Sequence, residues 1–142
     1  MTNCILCAEE GGEVVWRGDD CRVVLVQDAD LPGFCRVIWN RHVGEMTQLS
    51  YGERELLMTL VFALESVIRQ VMQPTKINLA ALGNQVPHIH WHIIPRYEDD
   101  AFFPGSPWSA RVRETASSVL RDRRQQAMEL PQAIRAAIAG LS

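Results

Sequence analysis

What the chain lacks narrows its class first. No apolar run approaches the roughly 20 residues that a bilayer-spanning helix needs, which argues against a membrane role. The start, Met1-Thr2-Asn3-Cys4-Ile5-Leu6-Cys7, has neither the basic residues nor the apolar core of a signal peptide, so a cytoplasmic location is expected. Net charge is −3 over 142 residues, which leaves no excess of positive charge for nucleic acid or an anionic membrane. Repeats, low-complexity tracts and a convincing domain boundary are all missing. Cysteines number only four, and in a reducing compartment they read as thiols or metal ligands rather than disulfides. What remains is ordinary: 47% hydrophobic and 22% charged residues, in a chain long enough to bury a substantial core as one domain.

Three of the four histidines fall in Val86-Pro87-His88-Ile89-His90-Trp91-His92-Ile93-Ile94-Pro95. They occupy alternate positions with bulky apolar residues between them, the pattern of a β-strand. One face then carries His88, His90 and His92, and the other offers Ile89, Trp91 and Ile93 to a core. At about 3.3 Å per residue, neighbouring histidines start about 6.6 Å apart and the outer two about 13 Å apart. Zinc–nitrogen bonds are only about 2 Å long. Two neighbours could share an ion; three on a regular strand could not. At least one imidazole is free for other chemistry, or the face is simply solvated.

The rest of the chain supplies a sheet and its cover. Segments 13–17, 21–26, 34–39 and 76–82 read as strands, the first two separated by Gly18-Asp19-Asp20. Gly83-Asn84-Gln85 turns the fourth straight into the histidine strand as an antiparallel hairpin. Ser50-Tyr51-Gly52-Glu53 is a capping box that opens a helix ending before Pro74. That helix carries Leu56, Leu57, Leu60, Val61, Leu64, Val67, Ile68 and Val71 on one broad stripe. Residues 109–128 read as a further helix with Arg111, Arg113, Arg121, Arg123 and Arg124 on a solvated face. A short last helix runs from Pro131 to Gly140. Phe102 to Trp108 is too rich in Pro and Gly for regular structure, and its aromatics suit a lid, a base-stacking surface, a subunit contact or packing on the domain itself.

Two smaller features bear on chemistry. Cys4-Ile5-Leu6-Cys7 has no strand before it, unlike a thioredoxin-type redox motif, and reads better as half of a zinc site. Cys21 and Cys35 sit in strand-like segments as small buried residues. His42 taken alone is a surface histidine.

His88-Ile89-His90-Trp91-His92-Ile93-Ile94 resembles the His-φ-His-φ-His-φ-φ signature of the histidine triad (HIT) family of nucleotide hydrolases and transferases. Gly83-Asn84-Gln85-Val86-Pro87-His88 is similar to that family's lead-in, and Cys4 and Cys7, Pro32-Gly33 and Asn40-Arg41-His42 also fall where bacterial members have counterparts. The resemblance covers residues 3 to 100. It implies an α+β, HIT-like fold: an antiparallel sheet of about five strands packed by one long amphipathic helix, with a helical C-terminal tail. The expected division is a HIT-like domain over 1–108 and a helical extension over 109–142 packed on it.

The implied activity is cleavage at the α-phosphate of a nucleoside phosphoramidate or dinucleoside polyphosphate. His90 corresponds to the family's nucleophile and would form a nucleotidyl-histidine intermediate, with an acceptor holding its Nδ1–H. His92 would bind phosphate or the leaving-group side; Asn84, Gln85 and Asn78 would donate to phosphate, and Asp28 would hold the ribose hydroxyls. Cys4, Cys7, His42 and His88 would bind a structural zinc, with no organic cofactor. The resemblance also implies a homodimer. The other reading is a zinc-stabilised nucleotide-binding or scaffolding module with little catalysis. Departures from the family pattern are Gly33-Phe34 in place of Gly-His, and Asn84-Gln85 in place of Gln-Ser/Thr.

Overall fold

Alternation builds the strands, and their order brings the histidines to the middle of a sheet. The computed structural model describes residues 3–141; the outer ends of the ranges 1–108 and 109–142, and the first two residues of the segment read for a leader, lie outside the described residues. The elements are α1 (Ile5–Ala8), β1 (Glu13–Arg17), β2 (Cys21–Leu25), β3 (Cys35–Trp39), a 3₁₀ turn (Met46–Gln48), α2 (Tyr51–Met72), β4 (Lys76–Ala80), β5 (His90–Arg96), α3 (Ser117–Ala127) and α4 (Leu130–Ala139). The five strands form one antiparallel sheet in the order β1-β2-β3-β5-β4. This is the α+β, HIT-like architecture expected from the sequence. No helix among the described residues is long and apolar enough to cross a membrane.

The two faces of the sheet have different tasks. Cys21, Val23, Cys35, Val37, Trp39 and Ile93 pack against Leu57, Leu60, Val61, Leu64 and Ile68 of α2 and Leu130, Ile134 and Ile138 of α4. Each fully buried Val, Leu or Ile there contributes about 1.5–3 kcal/mol by leaving water. On the other face Val24 and Ile38 pack with Leu6, while Ile94 packs with Leu31 and Phe34. The histidines share this second face, where the cover is loop and short helix rather than α2.

α2 begins as expected. The Ser50 hydroxyl accepts from the Glu53 amide at 3.1 Å, and the Glu53 carboxylate accepts from the Ser50 amide at 2.8 Å. It ends at Gln73, whose φ of +49° is left-handed, just before Pro74. Leu56 departs from the expected stripe: it is 41% exposed, and Met72 instead completes the buried row. Gly33, at φ +90°, turns the chain into β3 where a Cβ would lie only 3.1–3.2 Å from Met72 and Pro95.

Two expected elements are corrected. The histidine strand begins at His90 rather than His88, and residues 81–89 form a long connection instead of a tight hairpin. Pro87 has no N–H to give a ladder, and the Ile89 amide is already taken by the Val43 carbonyl at 2.8 Å. Residues 109–116 are not helical; α3 starts only at Ser117. Their polar groups bond across the fold instead: Val112 N to Ala101 O at 2.7 Å, Thr115 Oγ1 to Asp99 O at 2.6 Å, and Arg111 to both Asp30 carboxylate oxygens. The solvated face assigned to the arginines also fails at Arg123, which stacks 3.6 Å from the Tyr97 ring centroid and bonds Asp99.

The segment after β5 hangs on one buried ion pair. Arg96 and Asp100 are 2% and 1% exposed and are bidentate, at 2.8 and 3.1 Å. Asp100 also accepts from the amides of Tyr97, Phe102 and Phe103, and Arg96 donates to Gly105 O and Asn78 Oδ1. Burial alone would raise the Asp100 carboxyl, but Arg96 and the Phe102 and Tyr97 amides hold it below its usual value. Removing one partner strands the other charge in the interior. Asp100→Ala should therefore cost about 3–5 kcal/mol in urea unfolding; a loss under about 1 kcal/mol, the scale of a surface ion pair, would show that the pair is not what holds this segment.

Candidate functional site

The C-x-x-C and two histidines meet although they lie far apart in the chain. α1 places Cys4 and Cys7 together, the turn after β3 supplies His42, and the long connection supplies His88. Their ligand atoms all lie within 4.8 Å of one another. His88 Nδ1 is 3.3 Å from Cys4 Sγ, 3.5 Å from Cys7 Sγ and 3.3 Å from His42 Nδ1, while Cys7 Sγ is 3.4 Å from His42 Nδ1. Metal bonds of about 2.0–2.3 Å put tetrahedral ligand atoms roughly 3.3–3.8 Å apart. The spacing and the two-sulfur, two-nitrogen donor set fit one ion, so these four residues could hold a metal. His88 Nε2 lies 2.5 Å from the Trp39 carbonyl, to which it donates, leaving the Nδ1 lone pair aimed at the cluster. Burial lowers the His88 pKa, the Trp39 bond opposing, so the ring is neutral as a ligand must be.

His90 and His92 are excluded from that cluster by their place on β5. Their rings sit edge to face, centroids 4.9 Å apart. His90 Nδ1 is 2.6 Å from the His88 carbonyl. A carbonyl only accepts, so the proton is on Nδ1 and Nε2 keeps its lone pair. Burial lowers the His90 pKa against that bond, with Arg36 adding to the fall, and the ring is neutral at pH 7. His92 has the opposite polarity. Its Nδ1 accepts from Arg36 Nε at 3.4 Å, which leaves the proton on Nε2. The two imidazoles thus present one lone pair and one N–H.

The remaining expected residues are placed unevenly. Asn78 pairs with Ile94 across β4–β5 and shares the histidine face; Arg96 takes its Oδ1 at 2.7 Å, so the amide's Nδ2–H₂ is the end left to donate. Asp28 caps its own loop, with Oδ1 accepting from the Asp30 and Leu31 amides; burial lowers the Arg36 pKa, and Asp28 is near enough to oppose that fall. Asn84 and Gln85 are exposed in the 81–89 connection and bond neither triad histidine among the described residues. Trp108 reaches in from the aromatic loop, its ring centroid 5.0 Å from that of His92, while 51% exposed. A hollow of about 730 Å³ lies between residues 25–33 and the α3–α4 corner; Asp28 is on its rim but none of the triad lines it, so its volume does not mark the site. Arg36 was missed by sequence reasoning. The available signal was a lone charge inside an otherwise apolar strand.

The environment of His92 has a measurable consequence. Burial first, then His90 and Arg36, push its pKa from 6.5 down to about 3. In the unfolded chain the ring takes up a proton near its ordinary value, whereas in the folded chain it stays neutral. Its contribution to stability is therefore complete above pH ~6.5 and is lost as pH falls toward about 3. His92→Asn removes the titration and should flatten that part of a plot of urea midpoint against pH; an unchanged slope would exclude His92 as its source.

Known proteins resemble this chain in sequence and in fold. Residues 8–99 match the family profile described as HIT domain. An AP-4-A phosphorylase from Mycobacterium tuberculosis is 32% identical over 102 residues, covering 68% of this chain and 52% of that protein. The asymmetrical bis(5'-nucleosyl)-tetraphosphatase of Schizosaccharomyces pombe is 36% identical over 75 residues, covering 49% of this chain and 41% of that one. The chain thus spans about half the length, or less, of these relatives. A histidine triad protein from Bradyrhizobium japonicum has the same fold, with a TM-score of 0.72 at 25% identity over 91% of this chain and 92% of its own. With the profile matched from the last residue of α1 past β5, across more than half of its length, the chain belongs to the HIT domain family.

Proposed function

We propose that this protein is a nucleotide hydrolase or nucleotidyl transferase acting at the α-phosphate of a dinucleoside polyphosphate or nucleoside phosphoramidate. The observation that carries the reading is the His90 tautomer: Nδ1–H held by the His88 carbonyl, and a neutral Nε2 lone pair free on the open face. The names of the relatives, which refer to AP-4-A and bis(5'-nucleosyl) tetraphosphates, favour the polyphosphate class.

His90 Nε2 attacks the α-phosphorus, and the phosphorus–oxygen or phosphorus–nitrogen bond to the leaving group breaks with its electron pair. The nucleotidyl-imidazolium keeps its Nδ1 proton on the His88 carbonyl, which stabilises the new positive charge. Water then attacks phosphorus, loses a proton to solvent, and the P–Nε2 bond breaks to restore neutral His90. His92, as an Nε2–H donor, holds a phosphate oxygen; Asn78 Nδ2 is a second donor at the same face. The second Asp28 oxygen is available to ribose hydroxyls, and Asn84 and Gln85 would close on phosphate from their connection. Trp108 offers a half-exposed aromatic face beside His92 on which a base could stack.

Zinc is the ion that suits the Cys4, Cys7, His42 and His88 set. All four donors would come from the protein, as in a structural rather than a catalytic zinc site. Its work would be to tie the N-terminal arm to the chain entering β5.

Brief incubation with a dinucleoside polyphosphate followed by intact-mass spectrometry should reveal a mononucleotide adduct that is missing from His90→Ala, with turnover down by roughly 10³-fold or more. Full turnover in that variant would remove His90 as nucleophile; tight binding with neither adduct nor turnover in the unaltered protein would favour the scaffolding reading. A chelator should extract zinc and lower the unfolding temperature, and Cys7→Ser should do the same. An unfolding midpoint indifferent to both treatments would reject a structural metal.

A further inference from the structure

Arg36 is the cation for which the expected chemistry has no role. It lies on β3 directly opposite His92 of β5, in an antiparallel pair whose side chains stand side by side on one face. Its neighbours Cys35 and Val37 point into the helix-covered core, so the strand's alternation forces the guanidinium onto the histidine face. There the planar fork is divided. Nε donates to His92 Nδ1 at 3.4 Å, Nη1 donates to the Gly11 carbonyl at 2.9 Å, and the group lies 5.5 Å from the Phe34 ring centroid. The Gly11 backbone is pressed onto the sheet to make that bond. Its φ is +87°, and a Cβ there would fall 2.7 Å from Ile38 Cδ1.

The other three arginines in the sheet each have a carboxylate: Arg17 and Arg22 share Glu10, and Arg96 has Asp100 at 2.8 Å. Arg36 has none within salt-bridge distance among the described residues. Asp28 acts on it only at longer range, and a half-buried guanidinium without a direct ion pair carries a desolvation cost that a bound anion would offset. It cannot shed its proton to avoid that cost.

We propose that Arg36 is the positioning residue of this site: it fixes His92 as a neutral Nε2–H donor and gives its charge, held in no salt bridge, to the substrate's phosphate. The first half follows from donor chemistry. Guanidinium has no acceptor, so the His92 nitrogen facing it must be unprotonated, and a doubly protonated His92 would set cation against cation. The depressed His92 pKa agrees with this. His92 therefore donates and does not abstract a proton. The second half rests on the phosphate-cleaving reading above; the first does not.

Lysine at this position retains the charge but not the fork, and methionine retains neither. Side-chain ¹H–¹⁵N correlation NMR on the zinc-loaded protein at neutral pH should show a single Nε2–H tautomer for His92, with the Nδ1–H form appearing in R36M but not in R36K, whose ammonium is also a donor without an acceptor. An unaltered His92 tautomer in R36M would overturn the positioning role. Titration with adenosine monophosphate, followed on the same signals, should give about 10-fold weaker binding in R36M than in R36K. Equal affinities would overturn the charge role. Turnover of a dinucleoside polyphosphate should fall by about 10-fold in R36K and about 100-fold in R36M. No turnover in the unaltered protein would defeat the reaction assignment, while the tautomer and binding measurements would still decide the role of Arg36. If R36M does not fold, as judged by its zinc content and unfolding midpoint, R36Q replaces it in both the tautomer measurement and the titration.

Discussion

The arrangement depends on His88, which is held at three atoms. Its Nε2 is tied to the Trp39 carbonyl, its Nδ1 faces Cys4, Cys7 and His42, and its own carbonyl receives the Nδ1 proton of His90. Each bond fixes the next. The Trp39 carbonyl determines which nitrogen is free for a metal, and a ring so fixed also aims the backbone carbonyl that sets the His90 tautomer. At 1% exposure the ring has no room to choose otherwise. A residue that looks like one of three equivalents is thus the joint between a closed cluster and an open pair.

The sheet makes this joint affordable in conformational entropy because its other face carries the core. Trp39, Ile93 and Val37 anchor β3 and β5 against α2, and their neighbours Ile38, His92 and Arg36 are placed on the opposite face by alternation alone. The histidine face has thinner cover, made of α1, Gly11, Phe34 and the loop that carries Trp108. Short bonds from Asp100 and Arg96 hold that loop, and Arg96 also orients Asn78 on the same face. Packing on one side and polar pairing on the other therefore act on the same strands.

Local patterns were legible where one element decides its own conformation. The Ser50 capping box, the α2 stripe apart from Leu56, and the strands read over 13–17, 21–26 and 34–39, which β1, β2 and β3 match to within one residue, needed only local sequence patterns. Leu56 and the span 109–116 were misread for one reason. A helical spacing of apolar or charged residues does not reveal a partner elsewhere in the chain, such as Asp30 for Arg111 or the Ala101 carbonyl for the Val112 amide. The strand boundary at His88 failed likewise, because the groups that capture residues 88 and 89 lie on β3 and at Val43.

The sequence by itself determined that three histidines share a face, that one ion could not bind all of them, and that the chain resembles the HIT family. Those conclusions need only the period of a strand, the length of a metal bond and the motif itself. Tertiary structure decided how the histidines divide. Strand order places β3 beside β5, and so Trp39 beside His88 and Arg36 beside His92, across 49 and 56 residues of chain. Tautomers are set by whichever acceptor or donor stands opposite, and no local pattern records that neighbour.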